Sequence, residues 1–207
     1  MVLTLKHKVW LTKGLLHLGC ALPLLWLYLQ IELGNLGGDP VQYIIHFLGM
    51  GILHTLAITL LISPLAKRYR QGWLVRVRRL IGLWSFVYAL LHVAAFLAFD
   101  LLFDWPLLLS ETIKRPYILV GMVALLILLA LAITSPMVMQ RKLGRSWQKL
   151  HRGVYAVALL GPIHFWWSVK SGNLEPALYF SAFVLLLWWR KPRQLLQRVT
   201  FSRSKRA

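Results

Sequence analysis

Residues Pro116 to Thr134 read PYILVGMVALLILLALAIT, a run without a single charge. At about 1.5 Å of helix per residue its length matches a hydrocarbon layer of about 30 Å. Lys114 and Arg115 stand just before it and Arg141 and Lys142 shortly after, so charge returns only where the run ends. In hydrocarbon every backbone N–H and C=O needs a partner within its own segment, which makes a membrane-crossing helix the expected form.

Five more runs of this kind flank it: Val9 to Leu29, Val41 to Ile62, Leu80 to Phe99, His151 to Val169 and Leu174 to Trp189. The expected fold is therefore an all-α membrane protein, a bundle of about six transmembrane helices. It is read as a single domain over residues 1–207 with a short basic tail at 190–207. Composition agrees: of 207 residues 58% are hydrophobic and only 14% charged, against about 25% charged in soluble domains. The basic start followed by an apolar run resembles a secretory leader, but no small-x-small cleavage site follows and Leu22-Pro23 lie mid-run. It is read as a retained first helix.

The net charge of +18 does not indicate a nucleic-acid partner, because the cations sit in short segments between apolar runs instead of on one folded face. Lys67, Arg68, Arg70, Arg76, Arg78 and Arg79 fall in one loop, and Arg141, Lys142, Arg145 and Lys149 in another. Such loops stay in the cytoplasm and meet anionic lipid. Lys6, Lys8 and Lys13, and the tail with Arg190, Lys191 and Arg193, belong to the same side, so both termini are expected there. The opposite loops hold every acidic residue: Glu32, Asp39, Asp100, Asp104, Glu111 and Glu175, with Lys114, Arg115 and Lys170 as their only cations. Trp105, Tyr117, Trp166, Trp167, Trp188 and Trp189 suit interfacial belts. The expected location is a bacterial inner membrane, crossed several times.

Cys20 is the only cysteine, which excludes an intramolecular disulfide, a CxxC redox pair and an iron–sulfur ligand set. Redox chemistry would need a bound cofactor. An ionisable side chain inside a bilayer is costly and marks function by default, and His17, His46, His54, His92 and His164 lie within or at the edges of runs, with His151 at a cytoplasmic helix start. His92 stands about 18 Å along its helix from Leu80 and His164 about 19.5 Å from His151. Two imidazoles at one depth on facing helices suit axial ligation of the iron of a planar macrocycle. The plain structural alternative is a hydrogen bond across the bundle. For His17 and His54 that alternative is preferred, His46 is left open as a residue beside a cofactor, and His7 is read as a surface residue. His151 and His164 differ by roughly 140° in azimuth on an ideal helix, and Pro162 is expected to kink or unwind the turn before His164. A second haem lower in the bundle, at His151, is left open, so one or two haems are expected; its other ligand is the weak point, because Arg79 and Arg78 stand where one is needed.

The stretches RRLIGLWSFVYALLH (Arg78 to His92) and WQKLHRGVYAVALLGPIH (Trp147 to His164), KRPY at Lys114 to Tyr117, and the residues around His17 and Pro23 resemble the ferric-reductase-like transmembrane superfamily. Within it they are most similar to the haem-binding membrane subunits of periplasmic methionine sulfoxide reductase systems. The resemblance implies a haem b protein, also binding FMN, that takes electrons from the quinone pool or a cytosolic flavin reductase. It passes them to a periplasmic molybdopterin reductase that repairs oxidised methionines. It implies that His92, His151 and His164 are the haem-linked histidines. The spacing of the last two is similar to the fifth helix of NADPH oxidases, whose paired third-helix histidine has no counterpart here.

On this reading the chain is an electron-transfer subunit and not an enzyme by itself. Its basic tail has no GxGxxG turn, so electrons are expected from a separate donor, and without a CxxCH motif the haem is non-covalent. Arg78 and Arg79 are candidates to clamp anionic cofactor groups, or only to hold topology. Two alternatives remain: a freestanding ferric or oxygen reductase, and a proton or solute carrier. Against the carrier, no obvious internal repeat is read and no acidic residue lies mid-membrane.

Overall fold

The computed structural model describes residues 4–169, 172 and 174–190. Lys170 and the tail cations from Lys191 onward lie outside the described residues. The helices are α1 (Leu5–Glu32), α2 (Pro40–Arg68), α3 (Val75–Ala95), α4 (Trp105–Lys114), α5 (Pro116–Ile133), α6 (Met137–Leu143), α7 (Arg145–His151), α8 (Gly153–Ser168) and α9 (Leu174–Trp189). A 3-10 turn, Gly72–Leu74, leads into α3, and a π-helical turn, Phe96–Asp100, follows it.

All six expected apolar helices are present. Among the described residues, Leu5–Glu32, Pro40–Arg68, Gly72–Asp100 and Pro116–Ile133 are each long and apolar enough to cross a membrane. The protein is an all-α, multi-pass membrane protein. The helices α8 and α9 have 16 residues each, about 24 Å.

Side-chain register fixes the directions. Gly49 of α2 faces His92 of α3 while Gly82 faces Thr59, so these two helices run antiparallel. Gly121 of α5 faces His164 of α8 while Gly153 faces Ile127, giving a second antiparallel pair. The helix α9 packs on α8 and α2, and α1 lies outside α3, tied by Tyr88 donating to the Cys20 carbonyl at 2.8 Å. The contact of α2 with α3, and of α5 with α8, is far more extensive than the contact between the two pairs. Leu56, Leu60, Val157, Ala158 and Phe183 fill the core where they meet. With this alternation, the Arg- and Lys-rich loops gather at one end, the basic face, and the described acidic loops at the other, the acidic face.

Local chemistry explains the ends. Asp39 caps α2, accepting from the Gln42 amide at 3.0 Å with Pro40 at the first position. Asp104 does the same for α4 toward Leu107 at 2.9 Å; an Asn- or Asp-type cap followed by Pro is a strong helix start. Gly144, at φ 50°, breaks the chain between α6 and α7.

Two expectations are corrected. The helix α8 is continuous through Pro162 from Gly153 to Ser168, so the turn before His164 is not unwound, and the interruption falls at Arg152 instead. Proline in a membrane helix is tolerated when neighbours take up the freed group. Secondly, an internal repeat is present. The shift that carries His92 onto His164 also carries Gly49-Met50 onto Gly121-Met122, Ser63-Pro64 onto Ser135-Pro136 and Gly72 onto Gly144. The α2–α3 pair and the α5–α8 pair are two copies of one motif.

Candidate functional site

The His92 and His164 rings have centroids 6.2 Å apart and planes at 86° to each other. Each imidazole is held in the same way. Nδ1 of His92 donates to the Ile45 carbonyl at 2.9 Å, and Nδ1 of His164 to the Tyr117 carbonyl at 2.6 Å. In both cases the acceptor lies 47 positions earlier, on the partner helix of the same pair. A carbonyl oxygen only accepts, so Nδ1 carries the proton and Nε2 keeps its lone pair, the arrangement that orients a metal-binding histidine.

One turn beyond each carbonyl stands a glycine. A Cβ at Gly121 would lie 2.8 Å from Cε1 and Nδ1 of His164, and one at Gly49 would lie 3.4 Å from the same atoms of His92. Both rings are therefore seated directly against a helix backbone.

This geometry fits an iron between the rings. Two imidazoles this close, each with an unprotonated Nε2, would hold one iron between them. Among the described residues no group of three or more His, Cys, Asp or Glu gathers to hold a bare metal ion. A pair suits an iron whose remaining ligands belong to a macrocycle.

His151 is elsewhere. At the end of the short α7 it stacks on Trp147 at 4.0 Å and donates to the Trp147 carbonyl at 3.2 Å. It lines a cavity of about 410 Å³ at the basic face together with Arg78, Arg79, Arg152 and Arg190. The two candidate arginines are preset: Arg78 donates to the Ser63 hydroxyl and Arg79 to the Ser135 hydroxyl, each at 2.7 Å. The shift that relates the two histidines also carries Arg79 onto His151, so this cavity sits between equivalent positions of the repeat but with arginine on one side.

His46 goes to neither group. Its ring lies 5.5 Å from that of Phe165 and its Nε2 3.9 Å from the Glu175 carboxylate, at the acidic face. His17 accepts from the Trp84 indole at 3.1 Å and His54 shares a 2.6 Å hydrogen bond with the Tyr179 hydroxyl, the cross-helix bonds expected of both. The sequence reading missed Gly49, Gly121, Tyr117 and Ile45 as supports. The repeat was the signal that reveals them.

Residues 44–162 match the family described as ferric reductase like transmembrane component. A protein-methionine-sulfoxide reductase heme-binding subunit MsrQ from Pectobacterium carotovorum subsp. carotovorum is 49% identical over 92% of this chain and the whole of that protein. The protein of the same name from Salmonella newport is 47% identical over the same shares. No solved structure matches.

Proposed function

This chain belongs to the ferric reductase like transmembrane family, in its branch of MsrQ haem-binding subunits, and on that premise we propose that it carries electrons through haem b from the inner side of a bacterial membrane to a periplasmic methionine sulfoxide reductase. The observation that carries the proposal is the His92–His164 pair, with ring centroids 6.2 Å apart and both Nδ1 atoms on carbonyls. Nε2 of each residue would hold the iron, and the bound haem supplies one-electron ferric–ferrous chemistry. Ile45 and Tyr117 fix the ring orientations, Gly49 and Gly121 give the rings their seats, and the surrounding apolar side chains exclude water.

Orientation follows from charge. With the basic face cytoplasmic, the ligand pair lies nearer the outer side, about 18 Å from the inner edge of a layer of about 30 Å. That position favours delivery outward, to a molybdopterin-containing reductase. The donor is the quinone pool or a cytosolic flavin reductase.

The basic-face cavity is the proposed seat of FMN. Its arginines suit a phosphate, and arginine at the position equivalent to His151 leaves no second axial pair for another iron, which favours flavin over a second haem there. A reduced-minus-oxidised spectrum with pyridine haemochrome quantification tests the central claim. One haem b per chain is expected, and purified protein without a Soret band overturns it.

A further inference from the structure

Four polar side chains line the outer seam between α2, α8 and α9, and the proposed haem ligation by His92 and His164 uses none of them. Near the acidic face, His46 of α2 lies 3.9 Å from Glu175 in the first turn of α9; their side chains are 45% and 53% exposed. Deeper along the same two helices, His54 and Tyr179 share a hydrogen bond of 2.6 Å. Phe165 stands between the pairs, 5.5 Å from His46 and 6.1 Å from Tyr179 by ring centroids, and it directly follows His164 in the chain.

The depths matter. His46 is about 9 Å and His54 about 21 Å from the Pro40 end of α2. The helix spans about 43 Å, more than the hydrocarbon layer of about 30 Å, so His46 sits near the water boundary and His54 well inside. Ionisable groups that face lipid at that depth carry a cost that function must explain.

We infer that this seam binds a lipid-soluble hydroquinone, oxidised there, with His54 and Tyr179 hydrogen-bonding its head group and His46 and Glu175 passing its protons to the acidic face. A ligand reaching this seam comes from the bilayer, so it is lipid-soluble. It meets hydroxyl-sized polar partners, so it carries hydroxyl or carbonyl groups. It lies against the residue next to a proposed iron ligand, and a haem that delivers electrons outward must be refilled, so the ligand is an electron donor. A hydroquinone has all three properties. It loses two electrons and two protons and becomes the quinone. The bound haem would take these two electrons one at a time and pass them outward. The protons pass to the His46 imidazole and the Glu175 carboxylate, then to water. The inference rests on the haem assignment above and adds the site of the donor.

The test uses the haem-loaded full chain in lipid nanodiscs. An azidoquinone photolabel should mark peptides within 40–68 and 174–189, in competition with decylubiquinone. In His54→Leu/Tyr179→Phe, labelling and the rate of Soret reduction by decylubiquinol should each fall at least about tenfold, while the dithionite-reduced spectrum and the midpoint potential stay unchanged. Glu175→Gln should slow reduction with labelling retained. If the double variant fails to retain haem, Tyr179→Phe alone should still lower labelling several-fold. Labelling confined to the basic-face cavity, or decylubiquinol reduction unchanged in these variants, overturns the inference and leaves the haem assignment intact. Wild-type protein without haem overturns the haem assignment instead.

Discussion

Gly121 and His164 approach so closely that a single added carbon cannot fit between them: a Cβ at position 121 would stand 2.8 Å from two atoms of the imidazole. The ring cannot retreat without giving up its 2.6 Å bond to the Tyr117 carbonyl. Overpacking of this kind costs about 1–3 kcal/mol. Gly121→Ala should therefore leave less than about half of the low-spin haem, by Soret absorbance at matched expression. Gly49→Ala, where the contact would be an ordinary 3.4 Å, should keep nearly all of it. Equal retention in both would show that the seat of His164 is not rigid.

On the proposed assignment, replacing either member of the His92–His164 pair would remove one of the two nitrogens that hold the iron and leave a cavity in its place. His92→Ala and His164→Ala should each lose haem or turn it high-spin, as read by absorption and electron paramagnetic resonance. His151→Ala, whose ring stacks on Trp147 at the other end of the bundle, should be milder. Unchanged low-spin content in His164→Ala would defeat the pairing; equal losses in all three would point to a second haem.

Arg78 and Arg79 are already held in place by Ser63 and Ser135, so a bound phosphate meets donors that need no reordering. A hydrogen bond to a charged group contributes about 1.5–3 kcal/mol. Arg78→Gln/Arg79→Gln should weaken FMN binding at least about tenfold, measured by quenching of flavin fluorescence, with the haem spectrum unchanged. Undiminished FMN affinity would move the flavin elsewhere.

Charge on the acidic face should govern partner association. Lys114 is the cleaner probe there, because Arg115 is engaged: its Nε lies 2.5 Å from Glu111 and its guanidinium also reaches the Tyr117 hydroxyl at 3.4 Å, on the residue that anchors His164. Lys114→Glu should change the second-order rate of haem reoxidation by the periplasmic reductase about two- to tenfold at low salt, and the difference should shrink as salt rises. A rate indifferent to both charge and salt would remove the docking role of this face.

The six apolar helices were legible because hydrocarbon imposes one solution on any long uncharged run. The His92–His164 pair was legible because helical rise converts sequence distance into depth. Their acceptors were not, since every residue carries a carbonyl and only tertiary register selects Ile45 and Tyr117. The repeat escaped notice because its landmarks, Gly-Met, Ser-Pro and His, are scattered among apolar positions that exchange freely. The short helices α4, α6 and α7 escaped for another reason: they lie outside the long runs and depend on local signals such as Asp104 with Pro106. Pro162 misled because a proline rule drawn from water-exposed helices weakens inside a bundle.

The two-copy architecture also bears on how the protein is made. Each helix pair carries half of the site, complete with histidine, carbonyl and glycine, and the halves touch each other far less than the helices within them do. Lipid tails are as apolar as leucine, so little drives two such halves together in a bilayer. At about 5–20 residues per second of translation, His164 follows His92 out of the ribosome by several seconds, a time in which the first half stands finished and alone. On the proposed haem assignment, haem capture would act as the rivet that joins the halves, and a cell starved of haem should accumulate a protein correctly inserted but splayed, exposed to membrane proteases along the plane between them.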